Sequence, residues 1–268
     1  MTAPGAGAFE QDFYDATQAI SRGVQEIQDN FRLLEERLNR ALTFIYVPMI
    51  SEGIIAAFQK LTEATDKFFN LLQRFITEPG YPPALFRVGE LWETEVGQKL
   101  SDQAARMAPN SRAADDSFVG SAARAYKDAA EAQRLATQSF MPLSTSVKSA
   151  LHELGHSQIV FLIAIGAAAA TFVVGLVAAV AAAGTGVGAP AAGPIAISAA
   201  AGAVTMLLTA APIIYDAYSR FKTAINTMES ELRDSEGMPS EGDPPVSRWP
   251  RVGERITDNP RPWQVATD

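Results

Sequence analysis

The chain has 268 residues, 47% of them apolar, enough for a real core, and it carries a formal charge of −8 with a pI near 4.9. With no basic stripe to neutralise phosphates, that balance argues against a nucleic-acid partner. Zero cysteines exclude disulfides, thiolate metal sites and a cysteine nucleophile.

Residues 1–13 carry no basic segment followed by an apolar one, so no Sec-type signal is read there and export would need another route. From Phe13 onward, apolar or small residues fall at Thr17, Ile20, Val24, Ile27, Phe31, Leu34, Leu38, Ala41 and Ile45. This alternation of four and three is a heptad seam, and it predicts one long helix, ended by Pro48, that packs against others. A second helix, about 52–77, places Ile54, Phe58, Leu61, Thr65, Phe68, Leu72 and Phe75 on one face and is stopped by Pro79, Gly80, Pro82 and Pro83. A third is expected over 84–107 and a fourth over 121–155, with no strand anywhere.

Between the third and fourth lies Asp115-Asp116-Ser117-Phe118-Val119-Gly120-Ser121-Ala122-Ala123-Arg124-Ala125-Tyr126. Asp and Ser can cap orphan helix N–H groups, Gly120 permits a tight approach to the preceding helix, and Phe118 would staple the turn into the bundle. The segment resembles the WXG family of type VII (ESX) secretion substrates, especially the larger Esp proteins. There an aromatic-x-Gly turn joins two antiparallel helices and is followed by small residues and an aromatic. Phe118 stands in the Trp position, Gly120 in the Gly position, and Ala122, Ala123 and Tyr126 continue the pattern. The resemblance covers 84–155 loosely. It implies a secreted or envelope-associated protein without a Sec signal and, by analogy with heterodimeric members, a small WXG-type helical partner or secretion chaperone. Two features depart from the family: the Trp is replaced, and the export signal of Tyr followed four residues later by Asp or Glu is missing, since Tyr126 is followed by Ala130, with Glu131 one step late.

His152-Glu153-Leu154-Gly155-His156 fits the H-E-x-x-H pattern of zinc hydrolases, in which two imidazoles one helical turn apart, here His152 and His156, bind the metal and the Glu, here Glu153, activates water. A third ligand is required. No further His follows, and Glu229 or Glu231, the candidates suggested by a resemblance to membrane metallopeptidases of the M-forty-eight type, lack that family's Glu-x-x-x-Asp context. The motif is therefore expected to be a polar helix end at a membrane boundary, with zinc and catalysis by Glu153 as the alternative. Gly184-Thr185-Gly186-Val187-Gly188 lies between apolar helices and has no Lys, so it is a hinge rather than a phosphate loop.

From Leu154 to Tyr215 there is no Asp, Glu, Lys or Arg. Two apolar arms, 159–183 and 193–214, flank a break at 184–194, and each could cross a hydrocarbon core of roughly 30 Å as a helix. The first arm is rich in Ile, Val, Leu and Phe and should insert by itself. The second is diluted by Ser198, Gly202, Thr205, Thr209, Pro194 and Pro212, so it should enter only as half of a pair. Lys148, Arg220 and Lys222 flank the outer ends, which predicts that both ends stay on one side. Ala167, Thr171, Gly175, Ala179 and Ala183 recur every four residues as a small-residue stripe for helix packing, within the hairpin or between copies. The competing reading buries both arms inside a soluble bundle. The tail from Ser235, with its prolines and with Trp249 and Trp263 as potential anchors, is expected to be extended or disordered.

The fold class expected is all-α: an elongated helical bundle with a WXG-like helix-turn-helix and a C-terminal apolar hairpin, divided as 1–156, 157–234 and 235–268. The function expected is that of a non-enzymatic type VII secretion accessory or substrate protein that needs no cofactor, forms homo-oligomers and meets membrane lipid. An α-helical pore-forming protein is the first alternative and a membrane-bound zinc metallopeptidase the second.

Overall fold

The computed structural model describes residues 6–76, 81–111 and 118–233, together with the paired positions 240–241, 246–247 and 264–265. It is all-α: α1 (Ala6–Leu42), α2 (Pro48–Ile76), α3 (Pro82–Leu91), a π-helical segment (Trp92–Gln98), α4 (Lys99–Arg106), α5 (Ser121–Gln138), α6 (Phe140–Gly184) and α7 (Ala189–Arg233). Against the expectation of no strand, Phe118–Val119 pairs antiparallel with Gln264–Val265, and Ser240–Glu241 with Val246–Ser247. These ladders are two residues long, and Phe118–Val119 is an aromatic and β-branched pair with strand preference. Asp115, Asp116, Ser117, Trp249 and Trp263 lie outside the described residues.

The chain divides into two units that do not follow sequence order. The first joins Met1–Ala84 to Leu154–Tyr218 and the second joins Leu85–Glu153 to Ser219–Asp268. Instead of forming a region of their own over 157–234, the apolar arms complete a core with the heptad helices, because each set has an apolar face to cover. Glycines mark how closely they approach. A Cβ built at Gly23 of α1 would lie 2.7 Å from the Ala169 Cβ of α6, and one at Gly166 would lie 3.4 Å from the Ala19 Cβ. Gly193 of α7 backs onto Ala57 of α2, and Gly175 of α6 onto Ala199 of α7. The Phe31 and Phe58 rings, 5.2 Å apart, join α1 to α2, and Phe68 meets Phe172 edge to face at 5.4 Å between α2 and α6. These contacts close a four-helix bundle in the order α1, α2, α7, α6.

The seam on α1 faces inward throughout, with Ile20, Ile27, Leu34 and Leu38 buried, and α2 buries Ile54, Leu61, Thr65, Phe68 and Leu72 in the same rhythm. The first helix stops earlier than expected, at Leu42. The β-branched and aromatic run Thr43-Phe44-Ile45-Tyr46-Val47 has weak helix propensity, and Val47 is held out of the helical region by the proline after it. Pro48 then begins α2, in the first-turn position where its missing N–H costs nothing.

In the second unit the stretch expected as one helix over 84–107 is interrupted by the π-helical segment, where buried Gly97 faces Ser144 with no room for a Cβ. The helix expected to end near 155 breaks at Ser139 instead and then runs unbroken to Gly184. Gly155 is absorbed into α6, since one glycine costs a helix only about 1 kcal/mol and the apolar arm carries it onward.

Candidate membrane-facing site

The α6–α7 connection is narrower than the break expected at 184–194. It is confined to residues 185–188, where Gly186 adopts φ +72°. Thr185 ties it off: its Oγ1 donates to the Ala182 carbonyl at 2.8 Å and accepts from the Gly188 N–H at 3.0 Å. Pro194 and Pro212 both lie inside α7. Each removes one backbone hydrogen bond, a cost that the packing of Ala192, Ala196, Ala200, Ala203, Leu207 and Ala210 into the core offsets.

The five-residue stripe does not stay on one face. Each step of four residues advances about 40° around a helix, so the stripe winds from exposed Ala167 and Thr171 to buried Gly175, Ala179 and Ala183. Its buried end packs inside the hairpin, at Gly175 on Ala199. The outward face is apolar and uncharged, with Ile163, Val174 (69% exposed), Val177 and Leu208 open to the surroundings. The hydroxyls on it are internally satisfied: Thr171 donates to the Ala167 carbonyl at 2.9 Å, Thr205 to Ala201 at 2.9 Å and Thr209 to Met206 at 3.0 Å. These three threonines give up little on leaving water, since their hydroxyls keep their partners. Both helices are long and apolar enough to cross a membrane.

At one end of this bundle the α6–α7 turn meets the α1–α2 loop. The Arg37 Nη1 donates to the Val180 carbonyl at 3.1 Å, placing a cation at the C-terminus of the apolar segment of α6. Arg37, Arg40, Phe44, Gly184 and Thr185 line an open cavity of about 470 Å³ there. Ile45 continues the heptad seam in sequence, which hides the 43–47 loop. The absence of any charge between Arg40 and Glu52 is the signal that could have found it.

The residues of the H-E-x-x-H motif are engaged by different partners. In the second unit, the His152 Nε2 lies 3.3 Å from the Phe86 carbonyl oxygen and 3.5 Å from the Glu90 Oε1, and the ring stacks edge-on against Phe86. Glu153 accepts from the Arg220 Nη1 at 2.7 Å, and Glu229 and Glu231 are exposed on α7. In the first unit, His156 is exposed and lies edge-on to Phe9 at 6.4 Å. Among the described residues no three His, Cys, Asp or Glu side chains are grouped to hold a metal ion. Lys148 donates to Glu93 at 2.6 Å and to Glu90 at 3.0 Å, and these bonds raise its pKa, Glu93 contributing most. H152Q/H156Q is expected to leave the fold intact, with at most about 1 kcal/mol lost from the His152 contacts. Zinc titration of the wild-type protein by calorimetry should give no tight one-to-one binding.

The turn that carries the family resemblance lies in the second unit, where α4 packs against α5. Gly120 sits just before α5 at φ 104°, ψ −176°, a region open essentially to glycine alone. Ala122 and Ala123 are buried, while Phe118 and Tyr126 are half-buried. Glu131, one step late for the export signal, is held by Arg134 at 2.6 Å. Gly120→Val should destabilise the α4–α5 pair by about 1–3 kcal/mol. Phe118→Ala, because the ring is only half-buried, should cost about 1–2 kcal/mol, below the value for a full core phenylalanine. Urea melts of the two variants check both values.

No protein-family model, characterised protein or solved structure matches this chain.

Proposed function

We propose that this is a non-enzymatic, self-associating protein that acts at a membrane through its α6–α7 hairpin, as a secreted or envelope-associated accessory or substrate of a type VII secretion system. The observation that carries the membrane part is the outward face of the hairpin: uncharged, apolar, of membrane-crossing length, with its threonine hydroxyls bonded within their own helices. The secretion part rests on the aromatic-x-Gly turn at Phe118 and Gly120, and on the antiparallel helices that it joins.

Alkaline carbonate extraction of native membranes tests the first part. The protein should stay in the pellet, and release into the supernatant would leave the hairpin as the core of a water-soluble bundle. Protease protection should find the segments before and after the hairpin on the same side. Secretion that persists when the type VII machinery is disabled would remove the second part. One observation favours a pore-forming protein as the second reading, namely that the hairpin shares a bundle with two heptad helices from which it could be released. Leakage of dye from liposomes, scaling with protein concentration, would select it.

A further inference from the structure

The end of the first unit where the two connections meet has a composition unlike the rest of the bundle. Tyr46 is 90% exposed, Val187 94%, Met49 81% and Phe44 74%, so large apolar side chains from the α1–α2 loop, the first turn of α2 and the α6–α7 turn stand out from one end. The 41–51 segment contains no charged residue, and neither does the 185–188 turn. Behind this cap the nearest charge on α1 is Arg40, in the last turn of the helix, with Arg37 one turn further back. The opposite end is built differently. There Glu10, Asp12 and Asp15 crowd the start of α1, and Tyr81 donates to the Glu10 Oε1 at 2.9 Å.

Exposed large apolar side chains gathered at one end of a bundle mark an interaction surface. Two features select its occupant. The cluster carries a tyrosine among apolar residues with an arginine directly behind, the arrangement that places an aromatic ring at headgroup depth and a guanidinium at the phosphates. It is also continuous with the apolar ends of α6 and α7, the two helices of membrane-crossing length.

We infer that this tip is a membrane-docking surface: Phe44, Tyr46, Met49 and Val187 enter the headgroup–acyl boundary of a bilayer while Arg40 meets lipid phosphates, with the four-helix bundle still closed. This rests on the membrane reading proposed above and adds to it the order of events, docking by the tip before the hairpin leaves the bundle. Shallow entry requires no opening of the core. The charged flanks of α1 and α2 stay in water, and Glu52, one helical turn beyond Met49, with Glu36, one turn before Arg40, sets how shallow the entry is.

The chain contains no cysteine, so single reporter sites can be introduced directly. Y46C and, as a control at the acidic end, Y14C are labelled with an environment-sensitive dye and mixed with vesicles of equal parts phosphatidylcholine and phosphatidylglycerol. The Y46C label should shift to the blue and the Y14C label should not. In vesicle flotation, F44S/Y46S/M49S should bind at least about tenfold more weakly than wild type, as expected when several apolar side chains no longer leave water. Y14S/L33S, at exposed apolar positions of α1 outside both the tip and the hairpin face, should dock as wild type does. R40Q should weaken binding to anionic vesicles and leave binding to pure phosphatidylcholine unchanged. All of these positions are exposed, and circular dichroism should report unchanged helix content. Flotation of the triple variant at wild-type level would overturn the docking surface while leaving the membrane reading intact. Failure of the wild-type protein to float on either lipid would overturn both. A wild-type dimer that the triple variant abolishes, without vesicle binding by either, would assign the tip to a second copy instead.

Discussion

Phe68→Ala is expected to cost about 3–5 kcal/mol in urea denaturation, because the ring is fully buried and packs edge to face with Phe172 of the apolar arm as well as against Phe69. Phe172→Ala should behave alike, and the double variant should lose less than the two losses added, since the pair shares a coupling of about 0.5–1.5 kcal/mol. The substitution also separates the two environments open to the hairpin. In water the arm is held by α2, so truncating Phe68 weakens the closed bundle without touching the outward face. A state in which the arms have left for lipid would be unaffected. Phe68→Ala should therefore insert into vesicles more readily than wild type, by the population shift that follows when the competing closed state is weakened. Reduced insertion, with the bundle destabilised, would mean that the closed bundle itself is what enters.

Gly175→Leu should be the most disruptive single change along the small-residue stripe. A Cβ at this position would already collide with the Ala199 Cβ, so a whole isobutyl group forces α6 and α7 apart and costs at least about 1–3 kcal/mol. Gly175→Ala should be milder, and adding Ala199→Gly should recover part of the loss by returning the volume across the contact. Ala167→Leu and Thr171→Leu, on the exposed part of the same stripe, should each change stability by no more than about 0.5 kcal/mol. Thermal melts of the five variants check this order. Equal destabilisation along the stripe would show that all of it is packed, as in an assembly of copies.

The all-α class and the long helices were legible in the sequence because they rest on local periodicity. The heptad rhythm from Phe13 to Ala41 and from Ile54 to Leu72 fixes which face each helix turns inward, whatever covers it. The need for glycine at position 120 was legible too, since a backbone angle of φ 104° leaves a mark in residue type. The length of the apolar arms likewise follows from composition alone.

Which faces meet was settled only in three dimensions. The sequence places the heptad helices and the apolar arms in separate regions, and they join because two incomplete apolar faces, more than a hundred residues apart, cover each other. The stripe that reads as one face in steps of four becomes two environments because a helix turns every 3.6 residues. The break expected over 184–194 shrinks to a four-residue turn since prolines inside α7 are tolerated where packing holds the helix around them. The cluster of Phe44, Tyr46, Met49 and Val187 has no sequence signature as a group. Two connections distant in the chain reach the same end only because the four antiparallel helices fold back together there.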